Sequence, residues 1–209
     1  MSERARVFLM VTTMLVAARA FGQNNEIAGG IGRSFITTQS IRPTVPPLLD
    51  NEVHFSTATS FEFSVSHRLM SGGFFRLDAE LPFDGTPTEK LHSGNGAVPS
   101  KYSAYFITPA VRAKFFLGHA FQPWISGGGG YGHFHLDSTL VSGTANPGST
   151  NKNSGIIEAG AGIDTRVFHH VSFRLAARDF ISSDLPLNVD TGRSHQHNLI
   201  FTIGLGVHF

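Results

Sequence analysis

The segment Asn198-Leu-Ile-Phe-Thr-Ile-Gly-Leu-Gly-Val-His-Phe209 is the most informative stretch of this sequence. Alternate residues, counted back from its end, are all apolar: Phe209, Val207, Leu205, Ile203, Phe201 and Leu199. The residues between them are mostly small or polar. Because side chains of a β-strand alternate between its two faces, this pattern predicts a strand with an apolar environment on one side and a tight, partly polar space on the other.

The same alternation recurs upstream and predicts seven further strands. Their ranges are 27–36, 52–66, 73–83, 102–117, 122–135, 155–168 and 171–180. The strand at 122–135 contains five glycines, so the pattern does not assign its two faces. Long loops at 37–51, 84–101, 137–153 and 182–195 alternate with short turns at 67–72, 118–121 and 169–170. An even number of strands with this alternation predicts an all-β fold, an eight-stranded antiparallel up-and-down transmembrane β-barrel.

The second faces of the predicted strands carry charge, which assigns them to the barrel interior. An eight-stranded barrel is only wide enough to be filled by side chains, and charges there must be paired. We therefore expect an internal salt-bridge network formed by Glu62, Arg76, Asp78, Glu80, Arg112, Lys114, Glu158, Asp164, Arg166, Arg174 and Arg178. A Lys or Arg on the lipid face would cost about 2–4 kcal/mol at mid-membrane, and the apolar faces contain none apart from Arg33 near an outer end.

The chain resembles the OmpA/OmpX-type eight-stranded barrels of the bacterial outer membrane, especially the stand-alone barrel domain. The resemblance implies that the final strand is the signal read by the barrel-assembly machinery, carried by Phe201, Ile203, Leu205, Val207 and Phe209. It also implies a location in the cell outer membrane, in contact with its lipids and with lipopolysaccharide. The separate peptidoglycan-binding domain found in part of that family has no counterpart in this sequence.

The first residues have the three parts of an export signal. Arg4 and Arg6 supply positive charge, an apolar core of about ten residues follows, and Ala18-Arg19-Ala20 resembles a cleavage site. We predict a signal peptide at 1–22, cleaved at about 20–23, and an outer-membrane barrel domain at 23–209. The apolar core is too short for a membrane-spanning helix, which needs about 20 residues.

Composition excludes several classes of function. The chain has no cysteine, so it forms no disulfide and no thiolate site. Its net charge is +1 with 15% charged residues, so nucleic acid is not an expected partner. Gly127–Gly132 matches the letters of a dinucleotide-binding motif, but no helical pattern follows it, and we expect no cofactor. The histidines form no set with carboxylate support, so we expect no metal site.

Two local patterns leave alternatives open. His54-Phe-Ser56 is similar to the His-x-Ser dyad of the outer-membrane lipid A deacylases, in which the dyad would have to face lipid. The alternation of side chains along the predicted strand instead places His54 and Ser56 on the face directed into the lumen, together with Glu52. Trp124, Tyr131 and Tyr102 are interpreted as parts of an interfacial aromatic girdle.

These patterns predict a non-enzymatic outer-membrane barrel with a filled, salt-bridged lumen, no catalytic residue and a structural or surface-exposed role carried by four long external loops. A lipid A-modifying enzyme and a soluble, lipocalin-type ligand-binding barrel are the alternatives. The sequence identifies no partner for the loops.

Overall fold

The computed structural model describes residues 24–42, 52–94 and 96–209, and the predicted signal peptide lies outside them. The fold is all-β. Its strands are β1 (Asn25–Ile36), β2 (Gln39–Ser40), β3 (Glu52–Phe55), β4 (Ala58–Ser71), β5 (Phe75–Ser93), β6 (Lys101–Ile107), β7 (Ala110–Phe115), β8 (Phe121–Leu136), β9 (Asn151–Phe168), β10 (Val171–Ser183) and β11 (His195–His208). Across the described ranges, no helix is long and apolar enough to cross a membrane.

The strands close into one antiparallel ring. β4 pairs with β5, β5 with β6 and β7, both of these with β8, and β8, β9, β10 and β11 pair in turn. β1 closes the ring by pairing with β4 on one side and with β11 on the other. Because β3 continues into β4 and β6 into β7, the ring has eight barrel strands, as the sequence predicted. Short turns and both ends of the described chain lie at one end of the barrel, where Asn25 and Phe209 exchange backbone hydrogen bonds of 2.9 Å. We call this the turn end and the opposite one the loop end.

The exterior of the barrel is apolar over a limited height. Along β5 the outward side chains are apolar from Phe75 to Phe83, whereas Thr88, Lys90 and His92 are exposed and polar. A membrane-spanning strand needs about 9–11 residues. The part of β5 beyond Gly85 therefore lies outside the membrane, as an extension of the barrel wall at the loop end.

The predicted loop at 84–101 is largely wrong for this reason. β5 continues to Ser93 because an irregularity between Thr86 and Glu89 absorbs the extra residues at Pro87 and Thr88, and pairing with β6 resumes beyond it. β3 also pairs with this extension, with His54 opposite His92. The remaining strands start or end within a few residues of their predicted limits, except that β9 begins at Asn151 rather than at 155 and β4 ends at Ser71 rather than at 66.

The inward and outward faces follow the predicted parity along most of the barrel, but not in β3. Val53 is buried and His54 is exposed, which reverses the predicted faces. Parity shifts because Ser56 and Thr57 interrupt the strand between β3 and β4. From Ala58 onward, the predicted faces of this strand hold.

Candidate functional site

The lumen between mid-barrel and the turn end holds an ion-pair network centred on Glu26. Its carboxylate accepts hydrogen bonds from Arg112 at 3.0 Å, from Lys114 at 3.2 Å, from Arg76 at 3.4 Å and from Arg174. Glu26 comes from the first strand and its four partners from β5, β7 and β10. These contacts therefore cross the lumen and tie strands that are not neighbours in the sheet.

Asp164 forms a second centre of this network. Arg174 donates to its two oxygens at 2.8 and 3.0 Å, in the bidentate geometry that Arg favours with carboxylates. Lys114 also donates to it, and the Trp124 indole N–H donates to it at 3.2 Å. Since each buried ion has lost several kcal/mol of hydration, these multiple partners are what make the charges tolerable inside the barrel.

Arg178 organises a third group nearer the middle of the lumen. Its guanidinium donates to Glu158 at 2.8 Å, to Glu80 at 3.0 Å and to Glu62 at 3.3 Å. Thr202 also donates to Glu62 from β11. All four charged groups are buried, so this cluster closes the barrel cross-section at its level.

The eleven charged residues assigned to the lumen from sequence are placed there with one exception. Ten lie inside the barrel and form ion pairs in the network: Glu62, Arg76, Asp78, Glu80, Arg112, Lys114, Glu158, Asp164, Arg174 and Arg178. Arg166 differs because it lies at the rim of the turn end, where its side chain is exposed. The five terminal-strand residues lie on the outer face, with Phe201, Ile203, Leu205 and Val207 exposed and Phe209 half-buried.

Sequence reasoning missed three members of the lumen. Glu26 lies just before the predicted first strand, and its parity with Ala28 could have revealed it. Asp84 was assigned to a loop, although it continues the inward series of Asp78 and Glu80. Both are buried, and both oxygens of the Asp84 carboxylate lack a hydrogen-bond partner.

Trp124 is the third, and the girdle interpretation is wrong for it. Its side chain is 1% exposed, and the guanidiniums of Arg112, Arg174 and Arg178 lie 5.2–5.8 Å from its ring centroid. Gly162 lies opposite Trp124 on the neighbouring strand β9, and a Cβ at this position would overlap the indole. The glycines of β8 and β9 hid this residue because they weaken the alternation that assigns faces.

The lumen toward the loop end has the opposite character, because it is an apolar core. Phe106 stacks on Phe180 at 4.5 Å and packs edge-on against Phe134 at 5.7 Å. Tyr102, also assigned to the girdle, is buried here, whereas Tyr131 is exposed on the outside. Strand and loop residues together form this plug: Ile41, Val53, Leu91, Val98, Tyr102, Ala104, Phe106, Phe134, Leu136, Ile156, Phe180, Leu185, Leu187 and Ile200.

The loops at this end are held to each other by hydrogen bonds. The backbone of Val141 donates to Val98 at 2.9 Å, which joins the loops 137–150 and 96–100. Asn188 of the last loop donates to Asn146 at 2.7 Å. Ser100 donates to Asp137 at 2.6 Å, and this hydrogen bond is the main cause that lowers the pKa of the Asp137 carboxyl. We call these three loops, 96–100, 137–150 and 184–194, the loop platform.

The His54 and Ser56 side chains do not point into the lumen, which corrects the sequence-based assignment. His54 is exposed and lies 3.5 Å from the Glu52 carboxylate, while the Ser56 hydroxyl lies 3.4 Å from His92 Nδ1. These are two separate pairs on the outer face of the extension formed by β3 and β5. Within the described ranges, no three His, Asp or Glu side chains are grouped to hold a metal ion.

No family model matches the sequence, and neither does any curated protein. The structure does resemble solved structures. Outer-membrane protein OprG of Pseudomonas aeruginosa aligns at TM-score 0.54 and 13% identity, covering 90% of this chain and 97% of that chain. Neisserial surface protein A aligns at 0.53 and 12%, covering 90% and 98%. The N-terminal β-barrel domain of OprF from P. aeruginosa aligns at 0.50 and 12%, covering 90% and 100%.

The chain therefore has the fold of small outer-membrane β-barrels, and the resemblance to OmpA/OmpX-type eight-stranded barrels is confirmed. An apolar exterior around a charged interior suits lipid rather than water, and closure of the ring leaves no unpaired strand edge in the bilayer. The described residues form a transmembrane β-barrel with the fold of outer-membrane proteins. The soluble lipocalin-type alternative is wrong, because such a barrel would expose its apolar face to water.

Proposed function

We propose that this protein is a non-enzymatic, closed outer-membrane barrel that acts as a rigid support for its loop platform. The observation that carries the proposal is the filling of the lumen at mid-barrel and toward the loop end. Arg178 and its three carboxylates occupy the middle, and the stack of Phe106 on Phe180 lies toward the loop end. A solute would have to displace both layers to cross the barrel.

The loop platform is the part of the molecule best suited to contact other molecules. Loops carry variable chemistry on a rigid scaffold, and here the scaffold is pinned from inside by ion pairs. The buried Leu185 and Leu187 anchor the last loop to the apolar plug, and Lys152 donates to the backbone oxygen of Asp184 beside them. Such anchoring would let the loops present one defined surface.

Ion conductance tests the closed barrel. The purified wild-type protein is reconstituted in a planar lipid bilayer, beside a porin with an aqueous channel as the positive control. We expect no current steps from the wild-type protein under conditions in which the porin conducts. Discrete steps that scale with salt concentration would contradict a closed lumen and favour a pore.

A lipid A hydrolase is the second candidate, because the outward orientation of His54 and Ser56 satisfies one requirement of that alternative. The positions of these side chains do not form the connected nucleophile, base and carboxylate that ester hydrolysis requires. Ser56 lies beside His92 rather than His54, and the carboxylate of Glu52 lies beside His54. A nucleophile, its base and the group that orients the base should form one connected chain.

Mass spectrometry of lipid A distinguishes the two candidates. Lipid A is compared from cells that produce the wild-type barrel, the Ser56→Ala variant and a Ser194→Ala control on another exposed loop. The non-enzymatic proposal expects the same acyl pattern in all three. Loss of an acyl chain with wild type and control, but not with Ser56→Ala, would establish the hydrolase and overturn the proposal.

A further inference from the structure

A cavity of about 80 Å³ opens into the lumen at the turn end. Three arginines, Arg68, Arg76 and Arg166, line it together with two histidines, a glutamine, a serine and Asp164. They come from β4, β5, β8, β9, β10 and β11 and from the turn between β9 and β10, so they converge from most of the ring. We call this cavity the basic cup.

The acidic groups around the basic cup are already paired, in part with Arg76 of the cup itself. Asp164 receives hydrogen bonds from Arg174, Lys114 and Trp124. Arg76 pairs with Asp78 at 2.9 Å and with Glu26 at 3.4 Å. The positive charge of Arg166, which lies exposed at the rim, is therefore added to a site whose carboxylates are occupied.

Arg68 increases this excess. It comes from β4, directly opposite Asp78 in the sheet. The Asp78 carboxylate attracts it, but it also lies close enough to Arg76 for the two positive charges to repel, and the repulsion is the larger effect. Positive charges that lie close together in a partly enclosed site raise its electrostatic potential. The low-dielectric walls concentrate the field inside the cup, where a ligand would bind. An anion between the guanidiniums would relieve the repulsion.

The distribution of charge along the barrel axis also indicates an excess of positive charge at the turn end. Around the turn end, six cationic side chains, Arg68, Arg76, Arg112, Lys114, Arg166 and Arg174, accompany three carboxylates, Glu26, Asp78 and Asp164. Farther in, Glu62, Glu80 and Glu158 surround Arg178. Arg112 and Arg174 also form ion pairs with Glu80, with N···O distances of 3.1 and 3.8 Å. The excess of positive charge nevertheless lies at the turn end.

The size of the cup limits what it can hold. Its volume of about 80 Å³ is enough for a few water molecules. That space fits a single carboxylate or phosphate group, and guanidiniums bind both through paired N–H donors.

We propose that the basic cup binds a small oxyanion, either free or as the terminal group of a peptide on the periplasmic side. This inference does not depend on the proposed function, because a closed or a conducting barrel could carry the same site. Short turns of outer-membrane barrels face the periplasm, so the ligand would arrive from that compartment.

Trp124 provides the measurement, because it is the single tryptophan of the chain and its indole hydrogen-bonds Asp164 in the wall of the cup. The folded protein in detergent is titrated with sodium phosphate, sodium acetate and sodium chloride at constant ionic strength, following tryptophan fluorescence and heat by calorimetry. We expect saturable binding of phosphate or acetate and no saturation with chloride. A dipeptide with a free terminal carboxylate, compared with its amidated form, distinguishes a peptide end from a free anion.

Two variants and one control locate the site. Arg166→Gln and Arg68→Gln should each weaken binding about tenfold or more, since each removes a charge-assisted contact. Arg193→Gln removes an exposed arginine at the loop end and should leave affinity unchanged. Arg166 is exposed and pairs with nothing in the network, so its variant should still fold, which a mobility shift on boiling verifies. Absence of saturable binding, or equal affinity in all four proteins, would overturn the proposal.

Discussion

At the level of single residues, Arg178 has the largest expected effect on stability. Removing its side chain by Arg178→Ala leaves the buried carboxylates of Glu62 and Glu158 without their guanidinium partner. Breaking a buried ion pair on one side costs about 3–5 kcal/mol. We expect a loss of this size in the free energy of unfolding by urea in lipid vesicles.

The control for this prediction is Arg42→Ala. Arg42 lies 3.6 Å from Asp190, with both side chains 68% exposed. Exposed ion pairs contribute about 0–1 kcal/mol, so this variant should unfold almost like the wild-type protein. Equal losses in the two variants would mean that the network does not stabilise the barrel.

Glu89, on the part of β5 outside the membrane, should make stability depend on pH. Burial raises the pKa of its carboxyl to about 7, although hydrogen bonds with Ser34 and Tyr102 oppose the shift. The folded state therefore holds the proton more tightly than the unfolded chain, whose pKa is near 4.5. The stabilisation is fully present below about pH 4.5 and is lost as the pH rises through about 7, with a limit of about 3 kcal/mol.

Glu89→Gln tests this dependence because glutamine keeps the shape and cannot ionise. The melting temperatures of both proteins are measured in detergent at pH 5 and pH 8. The wild-type protein should lose more stability between the two values than the variant does. The same loss in both would assign the pH dependence to other groups.

At the level of elements, β11 tests which face meets lipid. Ile203 lies on the outer face at the centre of the apolar series from Leu199 to Val207, opposite Ile31 and Leu175. Ile203→Lys should cost about 2–4 kcal/mol of unfolding free energy in lipid vesicles. His195→Lys lies on the same face of the same strand, beyond the apolar series, and should cost about 0–1 kcal/mol. A similar cost at both positions would contradict the position of the membrane boundary.

The elements also show why sequence reasoning succeeded or failed. β11 was predictable because its period of two is unbroken and its outer face is uniformly apolar. The extension of β5 was not, because Gly85 and Pro87 are typical of a loop and only pairing with β3 and β6 continues the strand. Reversal of the faces at Val53 depends on a two-residue break that leaves no mark on the alternation itself.

At the level of the whole molecule, the lumen is divided into a charged half and an apolar half. The charged half was predictable from inward residues, but the apolar plug was not. Ile41, Leu185 and Leu187 reach it from loops, and the way loops fold over a barrel leaves no periodic signal. The network also depends on how the strands are staggered, since Glu26 meets partners from distant parts of the chain.

Orientation in the membrane can be tested with two matched insertions. Gly143 lies in the loop platform and Gly118 in the turn between β7 and β8. Both have positive φ, of 84° and 87°, and at both a side chain would meet open space. An epitope inserted after either glycine should leave the barrel folded, as a mobility shift on boiling would verify. Because long loops lie outside the cell and short turns in the periplasm, antibody should label the Gly143 insertion on intact cells. The Gly118 insertion should be labelled only after the outer membrane is permeabilised, and the reverse result would invert the orientation and place the basic cup at the cell surface.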